Sequence, residues 1–409
     1  MAAPKLRFKE FDGDWSSVSL LEISTLITKG TTPKQFIEGN INFLKIEAIT
    51  QNGFDLSKCQ TISDEINNKE LKRSVLMEGD ILFAIAGATI GKNAIVQKEL
   101  LPANTNQALA IIRLKENYSK IFISKVLNSP LMEKYIDINI STGAQPNLNL
   151  QQIGSFSFAL PKLEEQTKIA SFLSAVDEKI SQLTQKHELL SQYKQGMMQK
   201  LFSQQIRFKA DDGSEFGEWE TKLIKDIADV KGGKRLPKGY SLINENTGHP
   251  YITVSDMNRS YSIDSTNIRY VPLEVVDTIK RYTITDKDIF ISVAGTLGII
   301  GKIPTEFNGA NLTENADKLT NLKCHQEFLI YLLDSGYLSE LIESTATTSA
   351  QPKLALYAIE QLEIQIPCLE EQTKIANFLS SIDQKIDVVA QQIEQAKQWK
   401  KGLLQQMFV

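Results

Sequence analysis

Two segments of the chain carry one heptad pattern. Ile169, Val176, Leu183, Leu190 and Met197 recur every seven residues, and Leu173, Ile180, His187, Lys194 and Leu201 follow four residues after each. Both series return as Ile375, Ile382, Val389, Ala396 and Leu403, and as Leu379, Ile386, Ile393, Lys400 and Met407. Alternating steps of three and four residues place such side chains in one seam along a helix. Pro161 and Pro367 precede the segments, and Glu164-Glu165 and Glu370-Glu371 suit the positive end of a helix dipole. The spacing therefore predicts long helices within 161–205 and 367–409, each roughly 57 Å long for about 38 residues at about 1.5 Å per residue. A helix with a single seam needs a partner. The twin is the obvious one, through Leu173, Val176, Ile180, Leu183 and Leu190 against Leu379, Ile382, Ile386, Val389 and Ile393; the alternative is that each helix packs on its own domain. Lys194 and Lys400 hold equivalent seam positions, so a parallel, repeat-aligned pair would set them side by side. An antiparallel coiled coil is expected.

The duplication extends beyond the seam. Pro161-Lys-Leu-Glu-Glu-Gln-Thr-Lys-Ile-Ala170 recurs as Pro367-Cys-Leu-Glu-Glu-Gln-Thr-Lys-Ile-Ala376, and the match runs without a gap to Phe202 and Phe408. Upstream the copies agree more loosely: Gly13-Asp14-Trp15 with Gly217-Glu218-Trp219, Asp80-Ile81 with Asp288-Ile289, Ala144-Gln145-Pro146 with Ala350-Gln351-Pro352. So long a period marks a duplicated domain and not a solenoid repeat. Two variable blocks, 1–160 and 206–366, alternate with the helical segments, as a pseudo-two-fold internal repeat. Each block reads as α/β (α+β): strands at 43–49, 80–86, 108–114, 251–254 and 288–293, a helix over 65–73 and another opened by Ser129-Pro130.

Loops between these elements carry the candidate chemistry. Lys29-Gly-Thr-Thr-Pro-Lys34 and Val230-Lys-Gly-Gly-Lys-Arg-Leu-Pro-Lys-Gly239 occupy matching places early in each block. Glycine permits close backbone approach, while Lys29, Thr31, Thr32, Lys34, Lys231, Lys234, Arg235 and Lys238 supply donors for phosphate or base edges. A second pair, Ala86 to Lys92 and Ala294 to Lys302, follows strands and offers Thr89, Lys92, Thr296 and Lys302. Neither has the spacing of a nucleotide-binding G-x-x-x-x-G-K-[ST] loop, and Asn93 and Ile303 stand where Ser or Thr is required. Beyond lie amide-rich segments. Asn106 and Gln107 can pair with adenine, and Glu314-Asn315 answers them in the second copy. All of these segments also suit ordinary solvated turns.

Composition narrows the function. In 409 residues, 45 Lys and Arg against 49 Asp and Glu give a net charge of -4, so nucleic-acid binding must come from local patches. Three scattered cysteines without a CxxC, and a start without an apolar core, fit a protein of the reducing cytoplasm. No HExxH, G-x-S-x-G or G-x-G-x-x-G occurs, nor the Asn-Pro-Pro-aromatic motif of adenine methyltransferases, so neither catalysis nor a metal site is expected.

Diverged blocks alternating with near-identical helices resemble the specificity subunit of type I DNA restriction–modification enzymes. The resemblance rests on the Trp15 and Trp219 openings, the Gly/Lys/Pro loops, the Asp-Ile strands and, above all, the duplicated Pro-x-Leu-Glu-Glu-Gln segment. It implies two target-recognition domains, each reading half of a split, asymmetric site in double-stranded DNA, with the paired helices as a ruler for the gap. It further implies docking of two methyltransferase subunits, to which restriction/translocase subunits add. S-adenosylmethionine, ATP and Mg²⁺ would belong to those partners, with none bound by this chain and no membrane involved. A coiled-coil scaffold with two protein-binding domains is the competing reading.

Overall fold

The computed structural model describes residues 4–50, 53–87, 89–140, 146–346 and 353–408. Ala88, Ala144-Gln145 and Ala350-Gln351-Pro352 of the repeats above lie outside the described residues. The chain forms two compact units, Met1–His187 with Val389–Val409 and Glu188–Val388.

Long helices span Leu163–Phe202 and Leu369–Met407. In the first unit Ile169, Leu173, Val176 and Ile180 share a core with Leu403, Leu404 and Met407. In the second, Ile375, Leu379 and Ile382 share one with Met198 and Leu201. Within each unit, then, the beginning of one helix lies against the end of the other, and the two run antiparallel. Leu183, Val389 and Ile393 are buried as well, while Leu190 and Ile386 are half-buried. Towards the helix ends the seam slips by one residue: Met198 is buried where Met197 is half-buried, and Leu404 joins Leu403. A helix of 3.6 residues per turn drifts in this sense against a strict seven-residue repeat.

Polar contacts fix the pairing. Lys400 Nζ lies 2.6 Å from Asp177 in the first unit, and Lys194 Nζ 2.6 Å from Asp383 in the second. Both pairs fall on the same antiparallel register, so the seam lysines are partnered by acids instead of facing each other. Lys125 joins Asp177, and at the equivalent place Tyr331 donates to Asp383 at 2.6 Å.

The repeated Leu-Glu-Glu-Gln motif proves to be a clamp. Glu165, 2% exposed, receives two bonds from Arg7 at 2.7 and 2.8 Å, and Glu371, fully buried, receives two from Arg207 at 3.1 and 2.7 Å. Gln166 accepts from Ser119 N and donates to Pro161 O; Gln372 accepts from His325 N and donates to Pro367 O. Ser119 and His325 each precede a short helix of the globular block, Lys120–Leu127 and Gln326–Leu332. The motif thereby joins each long helix to the block beside it.

The blocks share a sheet order despite their divergence. In the first, an antiparallel sheet runs Ser24–Lys29, Leu109–Leu114, Ile81–Ala84, Asn93–Ile95. In the second it runs Asp229–Gly232, Ala316–Thr320, Ile289–Ser292, Ile300–Gly301. A second sheet in each contains one parallel pair, Ile41–Leu44 with Ala103–Thr105 and Pro250–Ile252 with Ala310–Leu312. The expected strand at 43–49 is shorter, because the chain turns through a 3₁₀ segment at Ile46–Ala48. The expected helix at 65–73 is a single wide turn, Ile66–Glu70, followed by a 3₁₀ turn, Lys72–Ser74. Pro130 does open a helix, Pro130–Asn139, but the Ser129 hydroxyl bonds back to Val126 O and does not cap it.

Candidate nucleic-acid interface

Glycine sets the geometry of the two basic loops. A Cβ on Gly30 would lie 2.2 Å from the carbonyl oxygens of Thr105 and Asn106, and one on Gly233 would lie 2.0 Å from Thr313 O and 2.4 Å from Leu312 O. Thr31 N donates to Thr105 O and Lys234 N to Leu312 O. Each loop therefore runs backbone to backbone against the amide-rich segment, and the two features separated in sequence become one surface. Gly233→Ala should push these backbones apart and destabilise the second unit by about 1–3 kcal/mol, measured by chemical denaturation. An unshifted midpoint would contradict the close approach.

The contacts also correct the alignment of the copies by one residue: Gln107 corresponds to Glu314, and Asn106 to Thr313. On this shared frame the polar pairs differ. Thr32 donates to Gln107 in the first unit, a neutral pair, whereas Arg235 bonds Glu314 at 2.5 Å in the second. Burial opposes ionisation of Glu314, but the bond from Arg235 outweighs it and holds the carboxyl below its ordinary range. Beside this pair Tyr251 donates to Lys234 O at 2.8 Å; burial pushes its phenol up to about 12, so it stays a donor at neutral pH. Lys29, Thr32, Lys34, Gln107, Lys231, Lys234, Arg235 and Lys238 are exposed, with Thr31 and Asn106 half-buried. Asn106 accepts from Ala108 N, and Lys231 pairs with Asp229 at 3.3 Å. In the first unit Lys29 and Gln107 line a groove of about 580 Å³ with Ala86, Asn147, Asn149 and Gln151. Neutral donors and acceptors around a single cation suit base edges more than bare phosphate.

The second pair of loops joins strand to strand, Ile81–Ala84 to Asn93–Ile95 and Ile289–Ser292 to Ile300–Gly301. Without a following helix there is no helix N-terminus to hold a phosphate. Thr89 and Thr296 are exposed in these turns, near Gly87 and Gly295, both at positive φ. Lys92 and Lys302 belong to another surface. Lys92 lines a groove of about 670 Å³ with Lys125, Asp177 and Lys400, against the helix pair. Lys302 bonds Glu327 and lines one of about 340 Å³ with Tyr331 and Asp383. Asp177 and Asp383 carry these grooves and were not singled out by the seam pattern, although each is the same residue in both copies, one step past Val176 and Ile382. Among the described residues no group of acids, histidines and cysteines is arranged to hold a metal ion.

Comparison with known proteins supplies an independent observation. The sequence model described as a type I restriction modification DNA specificity domain matches twice, over residues 12–192 and 217–398. The chain is 28% identical over 421 residues to a putative type I restriction enzyme MjaX specificity subunit of Methanocaldococcus jannaschii, covering 98% of this chain and 94% of that protein. It is 26% identical to the MjaVIII specificity subunit of the same organism, with 97% and 94% covered. Its fold is similar to the crystal structure of a type I restriction–modification S subunit from M. genitalium, with a TM-score of 0.60 at 18% identity and 100% and 99% of the two chains covered.

Proposed function

The chain belongs to the type I restriction–modification DNA specificity family, and on that premise we propose that each unit reads one half of a bipartite, asymmetric DNA site. The antiparallel helices set the length of the unread gap and dock two methyltransferase subunits. The observation that carries this reading is one backbone frame with unlike polar pairs, Thr32–Gln107 and Arg235–Glu314, at the same place. Identical frames present loops to DNA in the same manner, and unlike side chains select unlike bases. Specificity subunits recognise DNA and do not catalyse. Chemistry, with S-adenosylmethionine, ATP and Mg²⁺, belongs to the methyltransferase and restriction/translocase partners, and the family's methyltransferases direct it to adenine. The place of action is the cytoplasm; among the described residues no helix is long and apolar enough to cross a membrane.

With a net charge of -4 the chain alone binds DNA weakly and relies on its partners to complete a basic channel. Lys234→Ala with Arg235→Ala removes two cations and leaves Glu314 facing the duplex. In the reconstituted methyltransferase complex, affinity should fall about tenfold, and the salt dependence should weaken by about two counterions. Fluorescence anisotropy across a salt series reads both. Unchanged affinity and slope would remove this loop from the interface.

A further inference from the structure

Matching Gly30 with Gly233 also matches their neighbours. Lys29 faces Ala110 across the strand pair of the first unit, and Gly232 faces Asp317 across that of the second. A fully buried alanine in one unit is thus an acid in the other, 6% exposed. The Asp317 carboxylate has no hydrogen-bond partner among the described residues. Lys318, the next residue, points to the other face and pairs with Asp288 at 3.0 Å. Gly232 leaves the acid uncovered: a Cβ there would lie 3.3 Å from Oδ1. Among the described residues, Lys353 is the cation that favours its ionised form. This lysine stands where the first unit has Asn147, because Leu354 N donates to Val293 O as Leu148 N does to Ile85 O.

Where the first unit has a fully buried alanine, packing gives no reason for an acid. Burial raises its carboxyl to about 6, opposed by Lys353, which leaves it mostly ionised at neutral pH and able only to accept. An acceptor that no described residue pairs, open past Gly232 beside a recognition loop, is placed to take a donor from the ligand. In the major groove those donors are the exocyclic amino groups of adenine and cytosine. We propose that Asp317 is a specificity-determining residue of the second unit, accepting a hydrogen bond from the exocyclic amino group of one base. This rests on the half-site reading above.

The test uses the full chain with its methyltransferase subunits, as wild type, Asp317→Asn and Asp317→Ala, with methylated motifs mapped by long-read sequencing of host DNA. Asp317→Ala should lose discrimination about 10- to 100-fold at one base pair of one half-site, while Asp317→Asn, whose Oδ1 still accepts, should keep part of it, the other half-site being unchanged. Whether that position holds adenine or cytosine identifies the donor. The melting midpoint of Asp317→Ala should equal or exceed that of the wild type. A motif identical to the wild type's in both variants would overturn the proposal alone, as would loss of both half-sites with a lowered midpoint, the mark of a structural role. A wild-type complex without a bipartite motif would overturn the half-site reading, and this proposal with it.

Discussion

Replacing Arg207 with methionine should lower the melting midpoint of the second unit by about 10 °C. Glu371 is fully buried, and its two oxygens take the Nε and Nη2 protons of Arg207. Removing one partner of a buried pair strands the other charge, which destabilises by about 3–5 kcal/mol. For a unit of this size each kcal/mol moves the midpoint by about 2–4 °C. Arg7→Met should act alike on the first unit through Glu165. Adding Glu371→Gln to Arg207→Met should restore much of the loss, because the stranded charge is then gone. Differential scanning calorimetry resolves the two units; a shift below about 2 °C for the single variant would contradict the clamp.

Lengthening both long helices should lengthen the unread gap of the DNA site. The polar pairs bracket a middle stretch, from Asp177 to Lys194 on one helix and from Asp383 to Lys400 on the other. Seven residues inserted after Gln185 and seven more after Gln391 preserve both pairs and keep the seam on nearly the same face. They add about 10.5 Å of helix, or up to about three base pairs at about 3.4 Å each. An insertion in one helix alone breaks the shared register and should reduce methylation instead. An unaltered motif from the doubly lengthened chain would remove the ruler from the account.

The helices were legible because the period is long and appears twice. Lys194 and Lys400 in the seam also indicated direction, by a repulsion that a parallel pair would create. Their acids carry no such signal in the sequence, because Asp177 and Asp383 stand one step outside the apolar positions that define the pattern. The Leu-Glu-Glu-Gln motif was visible as a helix start, and its acids suited the dipole. Its partners could not be read, since Arg7 and Arg207 lie 158 and 164 residues away in sequence.

In the blocks, glycines carried the most information. Gly30 and Gly233 mark close backbone approaches that no other residue fits. The lysines that follow glycine turns carried less. Lys92 and Lys302 stand in the sequence like phosphate ligands, but the strand-to-strand turns place Lys92 in a groove with both long helices and Lys302 against Glu327 in a groove with the second. Register was the weakest point. Pairing Asn106-Gln107 with Glu314-Asn315 is wrong by one residue, as the backbone bonds of Thr31 and Lys234 and the close approaches of Gly30 and Gly233 show. The same shift hides Asp317, whose meaning depends on its counterpart being Ala110.

Two unlike reading surfaces on one frame should select two unlike half-sites. Long-read mapping of methylated bases in cells expressing this chain with its methyltransferase subunits tests it most directly. The account predicts one non-palindromic motif, with two different specific halves, an unread gap between them and a modified adenine in each half. A palindromic motif, a continuous one, or no methylation that depends on this chain would contradict it.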